Sequence, residues 1–289
     1  MAKYAFIVNP VSGAKDKTGI VEEIKRKFEN CEILFTRCQG HARSLAADTD
    51  ADVVVAVGGD GTVNEVASGL VGSEKTLGII PCGSGDGLAL HLGMSRNYKK
   101  AIQQLREGVV RRMDCGTMNG RYFFCTSGVG FDAKVGLEFS RSKSRGLGTY
   151  VSMTARNWFS YSPDHYKLAI DGRQVWEGEA VFITVGNASQ WGNNARICGG
   201  ASVLDGLFSI TVVKPFSTVK FPPLLMRLAS GKVTGSSSTL CLQGSHVLIE
   251  RSNPGPAHYD GEPLEEGTRL EYELLPSSLN VLAPQNTQI

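Results

Sequence analysis

The sequence VVVAVGGDGTVNEV, residues 53–66, predicts a buried strand, a glycine turn and a helix, in that order. Five small apolar residues in a row are typical of a strand that is buried on both faces of a parallel sheet. Thr62 and Glu65 match a capping box, so we expect the helix to begin at Thr62. The turn offers backbone N–H groups and the positive end of a helix dipole, which suit a phosphate. An ordinary strand–helix turn without a ligand is the alternative, since neither the dinucleotide fingerprint nor the P-loop pattern is present.

Two further turns of this kind occur in the first half of the chain. Asn9-Pro10-Val11-Ser12-Gly13 follows the short strand predicted over 4–8, and PCGSGDG, residues 81–87, follows the strand predicted over 77–80. The polar side chains of the first turn either contact a ligand or cap the turn itself. Strand and helix alternate through about residue 105, which predicts an open α/β layer with a mostly parallel sheet. Turns at the carboxyl ends of such strands face the ligand crevice, so we predict a nucleotide site here.

The pattern changes to antiparallel strands in the second half. Apolar and polar residues alternate over 208–212 and 269–274, and Asn119-Gly120 and Asp171-Gly172 are typical hairpin turns. Alternation of this kind predicts half-buried antiparallel strands. A β-sandwich is therefore expected after the α/β layer.

These patterns predict two domains. An α/β nucleotide-binding domain is expected over 1–115 and a mainly antiparallel β-sandwich over 116–275, with the tail 276–289 packing back on the first domain. Helices interrupt the strands of the second domain over 150–158 and 224–229. We expect the active crevice to lie between the two domains.

Three short segments of the second half are candidate functional sites. Phe131-Asp132 precedes a basic run, 141–145, which is either a solvated loop or a clamp for phosphate oxygens. Residues 202–207 supply a hydroxyl, a carboxylate and a carbonyl, which fit either a hard-cation site or a simple Asp-Gly turn. Tyr259-Asp260-Gly261-Glu262 is either a hairpin turn or a pair of catalytic carboxylates.

The composition is that of a globular protein, with 289 residues, 42% hydrophobic and 20% charged, and a net charge of +2. This small charge argues neither for nor against nucleic-acid binding. We expect no nucleic-acid partner. The sequence has no apolar run long enough to cross a bilayer and no signal peptide. Its seven cysteines include no metal-like C-x-x-C pair, and we expect a cytoplasmic protein with reduced thiols.

The ordered set of motifs resembles the bacterial lipid kinases of the diacylglycerol kinase catalytic-domain family, which includes sphingosine and ceramide kinases. The matching segments are Asn9–Gly13, Gly58–Glu65, Pro81–Gly85, Asp114–Asp132, Gly186-Asn187, Ser202–Leu207 and Asp260–Glu262. They match in order and spacing over nearly the full length. The glycine motif alone is shared with NAD kinases and phosphofructokinases. The resemblance implies an open, mostly parallel α/β domain of the NAD kinase and diacylglycerol kinase type, followed by the β-sandwich.

The resemblance also implies ATP and Mg²⁺ as cofactors. The residues that would hold the nucleotide are Asn9, Pro10, Ser12, Gly13, Thr36, Gly58, Gly59, Asp60, Gly61, Thr62, Asn64, Glu65, Gly83 and Ser84. Among these, Asp60 would also act in catalysis by organising the magnesium ion and its water network. Ser202, Asp205 and the carbonyl of Leu207 would form a structural magnesium site in the β-rich domain.

The resemblance assigns the acceptor side to the second half. The catalytic base would be Glu262 or Asp260, and the sequence leaves both open. Asp132 would help to receive the lipid head group, and Arg141 or Arg145 would reach the phosphates. A lipid substrate implies transient, peripheral contact with a membrane surface, for which the 141–145 loop is a candidate. The oligomeric state, including a homodimer, is left open.

Asp86 departs from the family pattern, because diacylglycerol kinase-like members usually carry Asn there. The resulting Ser-Gly-x-x-Leu-Ala pattern is closer to that of sphingosine kinases. A carboxylate at this position would repel phosphates unless it faces away as a helix cap or binds metal. We expect an ATP- and Mg²⁺-dependent lipid kinase that converts diacylglycerol to phosphatidic acid. The alternatives are a sphingoid-base kinase, then a non-catalytic nucleotide or lipid sensor, with an NAD kinase as a weaker rival.

Overall fold

A computed structural model describes residues 2–13, 16–142, 147–158, 160–193, 195–217, 237–285 and 287. The chain divides into two compact units. Unit 1 contains Met1–Cys115 and Pro276–Ile289, and unit 2 contains Gly116–Leu275. The helix predicted over 224–229 lies outside the described residues.

Unit 1 is an α/β layer whose strands run parallel. Its elements are β1 (Tyr4–Val8), α1 (Thr18–Lys27), β2 (Cys31–Phe35), α2 (His41–Asp48), β3 (Val53–Gly58), α3 (Asp60–Leu70), β4 (Thr76–Pro81), α4 (Gly87–His91), α5 (Tyr98–Glu107) and the first part of β5 (Val109–Met118). The strand order is β2-β1-β3-β4, with β1 parallel to β2 and β3, and β3 parallel to β4. The end of β18 (Arg269–Ala283) continues this sheet, parallel to β4, through Asn280 and Val281. The predicted α/β layer is confirmed.

The two central strands of unit 1 are buried along their whole length. Every residue of β3 and of β4 is buried, which is the environment that a continuous apolar run requires. Within β4, a Cβ on Gly78 would lie 2.9 Å from the Leu105 side chain of α5 and 3.0 Å from Val55. Glycine therefore lets α5 pack directly on the sheet.

The predicted capping box at the start of α3 is wrong. The helix begins at Asp60, with Gly59 as its N-cap, instead of at Thr62. The Glu65 carboxylate accepts hydrogen bonds from the backbone N–H groups of Gly40 (2.7 Å) and Ala42 (3.1 Å). It therefore caps the start of α2, because the sheet places α2 beside α3 and a partner distant in sequence takes the cap.

Unit 2 is a β-sandwich with two helices. Its elements are β6 (Arg121–Phe123), β7 (Thr126–Gly130), α6 (Phe131–Arg141), α7 (Leu147–Trp158), β8 (Asp164–Ile170), β9 (Arg173–Ala180), β10 (Phe182–Gly186), β11 (Gln190–Gly192), β12 (Ala195–Arg196), β13 (Phe208–Val213), β14 (Thr239–Gly244), β15 (His246–Arg251), β16 (Gly255–Tyr259), β17 (Glu262–Glu266) and the first part of β18. One antiparallel sheet has the order β14-β13-β10-β7-β16-β17, and the other has the order β18-β15-β8-β9. The predicted antiparallel β-sandwich is confirmed.

Side chains from both sheets of unit 2 form its core. Phe123 packs in parallel against Phe208 at 5.5 Å between ring centres, and edge-on against Tyr272 at 6.1 Å. Offset and edge-to-face arrangements of this kind are the favourable ones for aromatic rings. Gly116 is required beside them, because a Cβ there would lie 2.4 Å from the Phe123 ring.

Three hairpins of unit 2 have the turns that the sequence indicates. Asn119-Gly120, Asp171-Gly172 and Asp260-Gly261 each place two successive residues at positive φ. Such turns match the right-handed twist of the strands they join, and Asn-Gly and Asp-Gly are the pairs that adopt them at least cost.

We predict that Asp114→Ala lowers the free energy of unfolding by about 1–3 kcal/mol. Asp114 is buried and its Oδ1 accepts a hydrogen bond of 2.7 Å from the N–H of Ser277 in β18. Removal of the carboxylate leaves that N–H without its acceptor. Urea denaturation measures the change, and Asp48→Ala at the exposed end of α2 is the control, with an expected effect within about 0.5 kcal/mol. Equal midpoints for the two variants would contradict the prediction.

Candidate active site

Three turns meet at the carboxyl ends of the neighbouring strands β1, β3 and β4. A Cβ on Gly59 would lie 3.1 Å from the Cα of Gly83 and 3.5 Å from Ser12 Oγ. A Cβ on Gly13 would lie 2.1 Å from the Cys82 carbonyl oxygen, and Gly13 also has a positive φ of 68°. Only glycine permits this approach of backbone to backbone. The turns predicted to share one sheet edge therefore touch one another.

Asp60 connects the second of these turns to the third. Its Oδ2 accepts a hydrogen bond from the N–H of Asp86 at 2.9 Å, and its Oδ1 accepts one from the N–H of Gly87 at 2.7 Å. Burial raises the pKa of Asp60 above its ordinary value, and the N–H groups of Gly87 and Asp86 oppose that shift. A carboxylate has about four acceptor sites, so each oxygen retains a lone pair after these bonds.

Asp86 turns its carboxylate back into its own turn. It has a φ of 52°, and its Oδ1 accepts the N–H of Gly83 at 2.8 Å. Its Oδ2 lies 3.4 Å from Nε of Arg96, whose guanidinium also donates to two carbonyls of the same turn. Burial, helped by the charge of Asp60, raises the pKa of Asp86 to about 6, while the Gly83 N–H and Arg96 oppose the shift. Arg96 is a charged partner that no motif indicates.

The side chain of Asn9 caps the first turn and joins it to the second. Its Oδ1 accepts the N–H of Val11 at 3.1 Å, and its Nδ2 donates to Thr62 Oγ1 at 3.0 Å. Thr62 in turn requires the glycine before the turn, since a Cβ on Gly58 would lie 2.5 Å from that hydroxyl. The sequence leaves two roles open for Asn9, contact with a ligand and capping of the turn. The hydrogen bond from Val11 is the capping interaction.

In unit 2, the Asp260 carboxylate is bound by three backbone N–H groups. Oδ1 accepts from Cys125 (2.8 Å) and Thr126 (3.2 Å), and Oδ2 accepts from Phe124 (2.9 Å). These bonds satisfy acceptor sites on both oxygens of the carboxylate. Asp260 therefore anchors the 124–126 segment. Glu262 is half-buried at the start of β17.

Asp132 lies against a histidine that the sequence motifs did not indicate. Its Oδ2 is 3.0 Å from His258 Nε2, and the two side chains are only 7% and 8% exposed. Its Oδ1 accepts the N–H of Ala133 at 2.8 Å. Gly128 makes room for the pair, since a Cβ there would lie 3.2 Å from the histidine and 3.3 Å from the carboxylate. His258 lies on β16, two residues before Asp260 in the sequence. This proximity to the Asp-Gly-Glu motif is the sequence feature that could have indicated it.

Residues 3–118 match the family model of the diacylglycerol kinase catalytic domain. Residues 126–283 match that of the YegS C-terminal NAD kinase beta sandwich-like domain. The chain belongs to this two-domain kinase family. Membership makes the protein a kinase with an alcohol group as acceptor, as the sequence resemblance implies.

Known relatives extend over most of the chain. A diacylglycerol kinase from Bacillus subtilis is 27% identical over 274 residues, covering 91% of this chain and 90% of the relative. A protein from Escherichia coli named "Probable lipid kinase YegS" is 28% identical over 255 residues, covering 84% and 80%. A solved Bacillus anthracis structure, described as a candidate diacylglycerol kinase, has a TM-score of 0.82 and 26% identity, covering 99% of this chain and 98% of that chain.

In this kinase, most of the expected nucleotide residues lie in the three turns. Those at the meeting point are Asn9, Ser12, Gly13, Gly58, Gly59, Asp60, Thr62 and Gly83. Pro10 and Ser84 are exposed in the same turns, while Gly61 and Asn64 are half-buried on α3. Thr36 follows β2, and its N–H donates to the Val8 carbonyl at 3.0 Å. Glu65 is committed to the start of α2.

Lys17 is a further residue of this region that no motif indicates. It immediately precedes α1 and is 5% exposed. Its Nζ lies 3.9 Å from the position a Cβ of Gly13 would take. Among the described residues this Nζ has no hydrogen-bond partner. The available sequence signal was its place four residues after the first turn.

The remaining expected residues lie elsewhere in unit 2. Arg141 ends α6 rather than lying in a loop, because the helix that begins at Phe131 extends to it. It lines a cavity of about 530 Å³ together with Lys134 and Tyr161. Arg145 lies outside the described residues. Among the helices that the structure describes, none combines the length and hydropathy that a membrane span requires.

The expected structural magnesium site is a compact turn. Ser202 Oγ accepts the N–H of Leu204 at 3.2 Å, and Asp205 Oδ1 accepts the N–H of Leu207 at 3.0 Å. Within the described parts of the chain, no three His, Cys, Asp or Glu residues cluster as metal ligands. A site here would therefore use hydroxyl and carbonyl oxygens beside a single carboxylate, which are ligands that hard cations accept.

We predict that Asp86→Asn flattens the dependence of stability on pH. The pKa of Asp86 is about 6 in the folded chain, above about 4 in the unfolded chain, so the folded state binds this proton more tightly. The stability that protonation contributes is complete below about pH 4 and is lost as the pH rises through about 6. Asp86→Asn does not show this loss of stability, because asparagine does not titrate.

Urea denaturation of both proteins between about pH 4 and pH 7 measures the effect. The stability of Asp86→Asn relative to wild type should rise by about 2–3 kcal/mol across that range. Asp48→Asn, at an exposed position, should run parallel to wild type. A parallel curve for Asp86→Asn would show that Asp86 titrates normally.

Proposed function

We propose that the chain is an ATP- and Mg²⁺-dependent lipid kinase whose preferred acceptor is the hydroxyl of diacylglycerol. The observation that carries this proposal is the meeting of three turns around Asp60, in a chain that aligns with a diacylglycerol kinase over nine-tenths of its length. Phosphoryl transfer asks a protein mainly to position the reactants and to neutralise charge. The glycine-lined junction of turns suits the positioning of the nucleotide. Asp60 suits the neutralisation of charge, because it would hold the Mg²⁺ ion or its waters.

The turns of unit 1 fit a nucleotide with a divalent cation. The glycines leave the backbone accessible to phosphate oxygens, and Ser12 adds a hydroxyl. Asp60 retains unused lone pairs, and burial raises its pKa and that of Asp86. Bound Mg²⁺ supplies neutralisation of charge on the phosphates. Asp60 would hold that ion or its waters, while Asp86 faces Arg96 and so would not repel the phosphates.

Glu262 is the proposed general base. Both oxygens of Asp260 already accept backbone N–H groups, so its role is to hold the turn on which Glu262 stands. Glu262 would take the proton of the acceptor hydroxyl, a contribution that is typically about 10²–10⁴-fold in rate. We base this choice on the three backbone hydrogen bonds of Asp260.

Asp132 is proposed to act on the lipid head group through His258. The carboxylate is occupied by the histidine and by the N–H of Ala133. His258 Nδ1, in contrast, is buried with no partner in the described part of the chain. A carboxylate that holds one ring nitrogen orients the other toward a ligand. Arg141 and Arg145 are kept as proposed phosphate contacts.

Further parts of the proposal concern the surroundings of the reaction. Ser202, Asp205 and the Leu207 carbonyl would bind a structural Mg²⁺. The enzyme would be cytoplasmic and would meet its lipid by transient contact with a membrane surface, and a homodimer is compatible with this scheme. A sphingoid base is the second candidate acceptor, because the Gly83–Ala89 turn reads GSGDGLA, with Asp86 at the position that separates the two patterns.

The function is tested by transfer of labelled phosphate from ATP to a panel of lipids in mixed micelles, with Mg²⁺ and with a chelator. Labelled phosphatidic acid that disappears with the chelator would support the proposal. A labelled sphingoid base would favour the second candidate. ATP binding without any labelled lipid would point to a sensor and contradict the proposed activity.

We predict that Glu262→Gln and Asp260→Asn have separable effects. Glu262→Gln should lower kcat by about 10²–10⁴-fold, because the proposed proton acceptor is lost. Asp260→Asn should lower the free energy of unfolding by about 1–3 kcal/mol, since an amide NH₂ replaces one acceptor of the backbone N–H groups. Initial rates and urea denaturation measure both. Full activity in Glu262→Gln would exclude it as the base.

A further inference from the structure

Lys17 is a buried lysine beside the first of the three turns. Its side chain is 5% exposed, and Nζ has no hydrogen-bond partner among the residues that the structure describes. A buried ammonium normally pairs with a carboxylate or with several carbonyls, because its desolvation costs several kcal/mol. A buried lysine without such partners lowers the stability of the fold unless a ligand supplies the missing contacts.

The nearby carboxylates already have other partners. Asp86 accepts the Gly83 N–H and pairs with Arg96, and Asp60 accepts two backbone N–H groups. Asp16, one residue before Lys17, accepts both the N–H and the hydroxyl of Thr18. Lys17 lowers the pKa of Asp86 from a distance without a direct contact. A purely structural counter-charge would be expected to touch the group that it neutralises.

The position of Nζ indicates the class of ligand. Nζ lies 3.9 Å from the position that a Cβ on Gly13 would take. Gly13 itself packs against Cys82 of the third turn. Ser12 Oγ faces the same junction through its approach to Gly59. An anion that enters the junction would therefore meet a hydroxyl, glycine backbone and an ammonium. Phosphate groups have the charge and the acceptor oxygens for this set.

We propose that Lys17 is a direct ligand of the phosphate chain of the bound nucleotide. The proposal rests on the proposed function of the three turns as a nucleotide site. Its ammonium donates to a phosphate oxygen and so acquires a partner, which it lacks among the described residues. Lys17 then contributes to phosphate binding at a cost in stability, a trade that is common at functional sites.

Lys17→Met tests the proposal, because methionine has a similar length without the charge. Affinity for adenylyl imidodiphosphate, a non-hydrolysable ATP analogue, should fall about 10- to 100-fold, the range for a lost charge-assisted hydrogen bond. Affinity for adenosine should stay unchanged, and the unliganded variant should melt at a higher temperature than wild type. Calorimetric titration and thermal unfolding of the full chain measure these effects. Lys25→Met, exposed on α1, is the control and should match wild type.

The outcomes separate this proposal from the function on which it rests. If Lys17→Met binds the analogue as wild type does, Lys17 is no ligand and the nucleotide site stands. If wild type binds inorganic triphosphate but not the analogue, and the variant loses that binding, Lys17 is a phosphate ligand and the proposed function fails. If wild type binds neither, both are overturned. Should Lys17→Met not fold, Lys17→Arg must retain binding and Lys17→Gln must lose it, and equal binding by these two would overturn the proposal.

Discussion

The Asp60 carboxylate and its two backbone hydrogen bonds are the contact on which the site of unit 1 depends. They fix the N–H groups of Asp86 and Gly87 to the first residue of α3, and so join a turn after β3 to a turn after β4. In that arrangement Gly59 and Gly83 approach each other so closely that a Cβ on Gly59 would lie 3.1 Å from the Cα of Gly83. A carboxylate that could serve a cation is therefore also part of the framework, and its burial makes the framework sensitive to its charge.

Unit 2 uses a carboxylate in the same way. Its Asp260 carboxylate accepts hydrogen bonds from three successive N–H groups, from Phe124 to Thr126. The side chain of Asn187 donates a further hydrogen bond to the Phe124 carbonyl, at 3.0 Å. The segment is thereby fixed by both its donors and an acceptor. In the Asp-Gly-Glu turn the first carboxylate, that of Asp260, therefore has a structural role, because it holds the backbone of the neighbouring segment in place.

The sequence predicts well what local chemistry decides. The buried strand β3, the Asn-Gly and Asp-Gly turns and the alternation of β13 and β18 each follow from residue type and period. The start of α3 was predicted wrongly because Glu65 finds donors on α2, twenty-three to twenty-five residues away. Arg96 and His258 were missed for the same reason: each acquires its carboxylate partner only through tertiary packing, which carries no local signal.

Charges at the meeting point of the three turns are balanced incompletely by the residues that the structure describes. Two carboxylates with raised pKa values lie in the same small region as an ammonium that has no partner in the described chain. In an optimised framework such groups would be replaced by hydrogen-bonded neutral residues or apolar side chains, which often cost less than buried charge. Their presence at the meeting point of three turns is understandable if the site is completed by a ligand that carries both signs, such as phosphates with a divalent cation. The charged groups that lack partners among the described residues are then complementary to the charges of the ligand.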